Sequence, residues 1–410
     1  MTAPETPDLP QRLALVHDWF IPRSSGGAEL VVQAIDQRLT ELDRRPQLAA
    51  LVDGESRRSS SWLAGRSILT SPIQQLPWGT SHVQQYLPLL PLAIEQIDLS
   101  AAELVISSSH LVAKGVLTAP DQLHVSYVHT PVRYAWDQMH AYLQRSTLVR
   151  CGLGPLIRWQ LHLLRQWDQL SAQRVDHLIA NSRFTARRIQ QFWGREAEVI
   201  HPPVDVERFR WDGPREDVYL CLCRLVPYKR VDLVVQAFNQ LGLPLLVVGD
   251  GPERSRLQQL AGPNVTLLGR QSRQQVESLL SRCRAFVFAG LEDFGIAPVE
   301  AMASGAPVIG FGRGGLLDTV RCLRRGHPEP TGLLFPQQNV ESLAEAVAWF
   351  EEARLWRQLD AAVIRQWAER FRPEAFSARF EAALRRAWAG HQRSCAVAAS
   401  DPAGMPGLLV

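Results

Sequence analysis

Apolar and polar positions alternate along this chain in two rhythms. Short runs rich in Val, Ile and Leu recur at residues 13–17, 48–52, 104–107, 124–129 and 177–180, with a weaker run at 198–200. Between them, at 28–39, around 79–97, at 155–174 and at 183–193, apolar residues stand three and four apart. Nearly continuous apolar runs suit strands covered on both faces, and the helical period between them suits crossover helices, so the pattern predicts a parallel sheet. After a polar, proline-containing interval the rhythm restarts. Strands are predicted at 218–223, 245–248, 265–268, 285–288, 307–309 and 332–334, with helices after most of them and helical sequence from 340 to about 390. The chain therefore reads as α/β, with two doubly wound Rossmann-like domains at 12–200 and 218–372. His201-Pro202-Pro203 can continue neither a helix nor a ladder, so 201–217 is predicted to be the linker. A closing helix at 373–390 and a flexible tail at 391–410 complete the expectation. Ligands of doubly wound sheets bind at the carboxyl ends of the strands, which leads us to expect a cleft between two facing sheets.

Composition narrows the function. The 410 residues with 46% apolar content can fill two cores, and a net charge of +3 gives no electrostatic case for nucleic acid. Of the 44 basic residues only Lys114 and Lys229 are lysine, which marks two places where a compact ammonium is needed in place of a guanidinium fork. The six cysteines form no CxxC pair and no zinc spacing, as expected of reduced thiols in a cytoplasmic protein. The first eleven residues lack an apolar core and read as a frayed leader. The run 87–94 is too short to span a bilayer and is broken by Pro88 and Pro91.

The strongest chemical signal follows the predicted strand 285–288. In Glu292-Asp293-Phe294-Gly295-Ile296-Ala297-Pro298-Val299-Glu300, Glu292 falls on a loop and Glu300 on the first turns of a helix. Gly295 lets the loop backbone turn or approach a ligand, and Pro298 is expected at or near the first helical position, so that the loop with Ile296 and Ala297 leads into a helix N-terminus that favours an anion. Two carboxylates beside an anion site suit a ligand that is part phosphate and part polyhydroxyl, such as a sugar nucleotide. Arg224 and Lys229 leave the end of strand 218–223 and could neutralise a diphosphate. In the first domain Gly26-Gly27 precede a helix after strand 13–17, and His129 ends strand 124–129. Ser109, His110 and Lys114 follow strand 104–107 and are candidates for contact with an acceptor. Gly249, in the turn after strand 245–248, is a candidate for the donor pocket; Gly314-Gly315 could equally be a connecting turn. No Asp-x-Asp triplet or His/Cys/Asp cluster has metal-ligand spacing, so no metal or other cofactor is expected.

Together these residues resemble the retaining GT-B glycosyltransferases of family 4, in the family's order and over about residues 12–390. The resemblance implies that Glu292 holds sugar hydroxyls and Glu300 the ribose diol. It also implies that Arg224 and Lys229 stabilise the diphosphate, that Gly27 approaches it from the first domain, and that His129 sits beside the sugar. Three departures stand out: Cys223 where glycine is common, Asp318 where glutamate is frequent, and a small insertion at 321–330. Residues 109–115, 127–136 and 180–189 are similar to bacterial mannosyltransferases of O-antigen and exopolysaccharide assembly, which implies GDP-mannose as donor.

Two other functions are compatible with such a scaffold. A nucleotide-sugar epimerase or hydrolase needs an acid/base pair facing the sugar, for which the first domain offers only Asp18 and Glu103 as distant candidates. A non-catalytic sugar-binding partner would not need the full phosphate and carboxylate set. The acceptor is expected to be a saccharide or a polyprenyl-linked sugar. Residues 153–170 form an amphipathic stretch with Trp159, Trp167, Arg158 and Arg165, compatible with a core helix or with peripheral contact at the inner face of a membrane.

Overall fold

The computed structural model describes residues 8–22, 26–145 and 149–400, and its elements follow the two rhythms of the sequence. The chain folds as two compact units. Unit 1 takes the chain up to Asn181, then Thr185–Ile200, then the chain from Ser377; unit 2 takes Ser182–Phe184 and His201–Phe376.

The sheet of unit 1 has seven parallel strands: β1 (Leu13–His17), β2 (Gln47–Ala50), β3 (Ile68–Thr70), β4 (Leu104–Ser109), β5 (Leu123–Val128), β6 (His177–Ala180) and β7 (Glu198–Val199). Their spatial order is β3-β2-β1-β4-β5-β6-β7. Strands β1, β4 and β5 are buried along their whole length, as their unbroken apolar runs require. Unit 2 has six parallel strands: β8 (Tyr219–Leu222), β9 (Leu245–Val248), β10 (Val265–Gly269), β11 (Ala285–Phe288), β12 (Val308–Phe311) and β13 (Gly332–Phe335), in the order β10-β9-β8-β11-β12-β13. In each sheet the strand order reverses direction once, between β1 and β4 in unit 1 and between β8 and β11 in unit 2. At such a switch point the flanking crossovers go to opposite faces and leave a crevice outside the strand ends.

Several elements differ from the sequence reading. β3 was not expected; it is a three-residue edge strand without a buried run to announce it. The helix expected around 79–97 is a 3₁₀ segment Val83–Leu89 followed by the short helix Leu90–Glu95, because Pro88 and Pro91 interrupt the ladder. A helix at Met139–Arg145 is an addition. The interval expected to be a linker packs into unit 2, where Val204, Val206 and Phe209 join the core and the Val204 amide donates to the Phe371 carbonyl at 2.8 Å. The last helix, Pro373–Ser400, belongs from Ser377 to unit 1. There Glu381 pairs with Arg38 at 2.6 Å and Arg386 with Glu198 at 2.7 Å. It runs to Ser400 where a flexible tail was expected from 391, since alanine-rich sequence is the best helix former; 401–410 lie outside the described residues.

Candidate functional site

In unit 2 the candidate residues gather at the switch point. Cys223 and the exposed Arg224 directly follow β8, and a 3₁₀ turn Pro227–Lys229 comes next. Arg230 after it stands at φ 52°, in the left-handed region that costs a non-glycine residue of order 1 kcal/mol or more. The Lys229 ammonium forms an ion pair with the Glu292 carboxylate, both side chains largely buried. Strand β11 thus delivers Glu292 onto the cation that β8 delivers.

The loop that carries Glu292 is fixed from behind. The Gly315 amide donates to the Glu292 carbonyl at 2.9 Å, and a Cβ at Gly314 would stand 2.3 Å from that oxygen. Gly314 has φ +70°, so only glycine meets both demands. The paired glycines whose role was open therefore hold the loop. Gly295 caps the helix Ile296–Ala303 at φ 96°, and the first-turn amides of Ile296 and Ala297 have no acceptor within the helix. Gly249 stands at φ +139°, with its Cβ position 1.9 Å from the Cys223 carbonyl. The close approach at the end of β8 is therefore made by Gly249, and a side chain at Cys223 is tolerated.

Glu300 lies on the same helix and is mostly buried. Burial raises its pKa, and Arg208, whose guanidinium reaches it at 3.4 Å, works against the rise. Arg208 also pairs with Glu277 at 2.8 Å and lies over the Phe209 ring. Sequence reasoning missed Arg208: it sits in the interval read as linker, and no local pattern marks a residue that acts across a fold.

Unit 1 places its candidates at its own switch point. Asp18, directly after β1, is fully buried and accepts the amides of His110, Leu111, Val112 and Ala113 at 2.5–3.1 Å. His110 Nδ1 lies 2.9 Å from the same carboxylate. Burial pushes the Asp18 pKa up, but His110 and the amides outweigh it and hold the group ionised far below the usual range. For His110 the balance runs the other way: burial lowers its pKa and Asp18 more than restores it. His129 Nε2 meets Ser108 Oγ at 2.7 Å, and its carbonyl accepts from Asn181 Nδ2 at 2.9 Å. Burial, with His17 and His110 nearby, keeps the His129 imidazole neutral. Gly26 caps the helix Gly27–Glu41, and its amide donates to Glu29 at 2.9 Å, so this helix start carries its own carboxylate.

Two expectations change. Lys114 was a candidate for acceptor contact, but its ammonium is buried, 2.6 Å from Asp168 and 3.2 Å from Ser171 Oγ, with the rings of Trp167 and Trp193 centred 5.0 and 4.9 Å away. It supports the core, because a buried ammonium must be matched by charge and hydrogen bonds. Ser109 is buried in the last position of β4, with its carbonyl accepting the His129 amide at 2.9 Å. Glu103 precedes β4 at the opposite end of the sheet, paired with Arg12 at 3.2 Å. Among the described residues His17, Asp18 and His110 are the one set whose potential metal-ligand atoms lie within 4.8 Å of one another. Asp18 already accepts four amides and faces His110, so its lone pairs are engaged and the set does not fit a metal.

Comparison with known proteins assigns each half. The model described as "Glycosyltransferase Family 4" matches residues 25–208, and that described as "Glycosyl transferases group 1" matches residues 205–368. One similar protein is the GDP-mannose-dependent monoacylated alpha-(1-6)-phosphatidylinositol monomannoside mannosyltransferase of Corynebacterium glutamicum, 31% identical over 203 residues, 42% of this chain and 51% of that protein. Another is the GDP-mannose-dependent alpha-(1-6)-phosphatidylinositol monomannoside mannosyltransferase of Mycobacterium tuberculosis, 32% identical over 200 residues, 41% of this chain and 50% of that protein. The chain spans about half the length of these relatives. Among solved structures, Anabaena Alr3699/HepE in complex with UDP superimposes with a TM-score of 0.65 at 18% identity, covering 91% of this chain and 99% of that one. The apo form of the lipopolysaccharide outer core galactosyltransferase WaaB gives 0.61 at 17%, with the same coverages. At these identities the likeness establishes the fold alone.

Proposed function

The chain belongs to the glycosyltransferases, with a family 4 first half and a group 1 second half on the GT-B fold, and on that premise we propose that it moves a hexose from a nucleoside diphosphate sugar to an acceptor hydroxyl with retention of configuration. The observation that carries the reading is the Lys229–Glu292 pair at the switch point of unit 2. Lys229 and Arg224 take the growing negative charge of the leaving diphosphate, aided by the helix start at Ile296 and Ala297. Glu292 accepts from sugar hydroxyls and Glu300 from the ribose. The leaving phosphate oxygen removes the acceptor proton on the same face, so no enzyme nucleophile is required. Unit 1 serves the acceptor, with His129 as a neutral imidazole that can exchange a hydrogen bond with a sugar hydroxyl, and Gly26-Gly27 at the first helix start.

The similarity to GDP-mannose-dependent mannosyltransferases supports mannose from GDP-mannose as the donor and a saccharide or lipid-linked sugar as the acceptor; a place in polysaccharide or O-antigen assembly is our reading of the sequence resemblance. The paired cations leave the diphosphate charge to be met without a metal, so transfer is expected to survive chelation by EDTA. An epimerase or hydrolase is disfavoured because Asp18 is engaged by four amides and Glu103 lies at the wrong end of its strand. The test is incubation of GDP-mannose with purified protein and a mannose-terminated lipid-linked acceptor, with the anomeric signal followed by NMR. An α-linked product supports the reading. An inverted product, or rapid epimer formation without acceptor, refutes it.

A further inference from the structure

Surface apolarity is distributed unevenly between the two units. Among the described residues, every exposed large hydrophobic side chain except Tyr228 belongs to unit 1. The densest group lies on the helix Gly154–Gln173, where Leu156, Trp159, Leu163 and Leu170 are 42–65% exposed. Their spacings of three, four and seven residues put them in one stripe. The opposite side of the helix is already satisfied: Leu161 and Leu164 are buried in the core and Asp168 holds Lys114. The outer stripe is therefore surplus to packing. Scattered single exposures need no explanation, but a stripe with an indole at its centre does.

Charge identifies what covers it. From Gln138 to Trp167 the chain contains no acidic residue and four arginines. Two of these, Arg150 and Arg158, are exposed and make no ion pair among the described residues. A protein partner would be expected to meet a mixed rim of both signs, whereas an apolar stripe with an indole and unopposed guanidinium groups matches the interface of an anionic bilayer. No helix among the described residues is long and apolar enough to cross a membrane, so the contact is lateral. We propose that the outer face of helix Gly154–Gln173 lies on an anionic membrane surface, its leucines and Trp159 in the headgroup boundary and Arg150 and Arg158 against lipid phosphates. The inference rests on this surface and not on the transferase reading, though it would bring a lipid-linked acceptor to unit 1.

The test is co-sedimentation of the full chain with phosphatidylcholine vesicles, with and without phosphatidylglycerol, at low and high salt. Wild type is expected to bind the anionic vesicles, less so at high salt, and pure phosphatidylcholine weakly. Trp159→Gln/Leu163→Gln should weaken binding at least about tenfold, since each removes an apolar group from the interface. Arg150→Gln/Arg158→Gln should remove most of the salt dependence. Unchanged melting temperature and nucleoside diphosphate affinity in both variants show that fold and donor site are intact. Failure of wild type to bind anionic vesicles, or binding by Trp159→Gln/Leu163→Gln equal to wild type, overturns the proposal. So does a wild-type dimer in sedimentation velocity that this variant converts to monomer, which would assign the stripe to a second copy of the chain.

Discussion

Lys114 offers a test of how the structure divides support from chemistry. Truncating it to alanine leaves Asp168, itself fully buried, holding a charge with only the indole N–H groups of Trp136 and Trp193 at 2.8 and 2.7 Å to satisfy it. The ion pair, the Ser171 contact and two cation–π contacts are lost together. Removing one member of a buried pair costs about 3–5 kcal/mol, a large part of the roughly 5–15 kcal/mol by which a domain is stable. Urea unfolding followed by tryptophan fluorescence should therefore show the transition of unit 1 displaced by that amount, with that of unit 2 unchanged. Lys114→Met/Asp168→Asn, which removes both charges and keeps an acceptor for an indole, should recover about 2 kcal/mol or more of the loss. Nucleoside diphosphate affinity of Lys114→Ala, measured where the variant is folded, should equal wild type. A stability change under about 1 kcal/mol would refute the account of the buried pair.

Four further outcomes follow from the geometry. Lys229→Ala should weaken nucleoside diphosphate binding by about 1.5–3 kcal/mol, the value of a charge-assisted bond, in isothermal titration at a temperature where the variant is folded. Gly314→Ala should destabilise the protein by at least about 1 kcal/mol and weaken nucleotide binding, because its Cβ would meet the Glu292 carbonyl from a left-handed backbone; thermal unfolding and titration check both. Arg208→Leu removes an attraction that opposes the burial-driven rise of the Glu300 pKa, so the loss of nucleotide affinity on acidification should begin at higher pH than in wild type. Asp18→Asn should destabilise unit 1 by about 2 kcal/mol or more at neutral pH. Because the folded Asp18 carboxyl titrates below the ordinary carboxylate range, its stabilisation is present above that range and lost as pH falls toward the folded pKa, so the gap to wild type in urea unfolding should shrink in strong acid.

The strands of both sheets were legible because buried parallel strands are unbroken apolar runs, and with them came the switch points that carry Arg224, Glu292, His129 and His110. What failed was either short or non-local. β3 is three residues on an edge, and the prolines at 88 and 91 split a helix that its period alone suggested. The scarcity of lysine singled out two positions, each of which pairs with a carboxylate, but could not tell that one partner is the buried Asp168 and the other Glu292. Arg208 and the four amides on Asp18 were invisible because their partners lie 92 to 95 residues away or sit in an interval read as linker. The sense of Gly314-Gly315 appeared only when the loop it fastens was in place.

The central claim, that Lys229 and Glu292 together receive an activated sugar, is tested most directly by calorimetric titration of GDP-mannose into wild type, Lys229→Ala and Glu292→Ala. Wild type should bind, and each variant should lose at least about tenfold in affinity at a temperature where circular dichroism shows it folded. Equal binding by all three proteins, or no binding of any nucleoside diphosphate sugar by wild type, would contradict it.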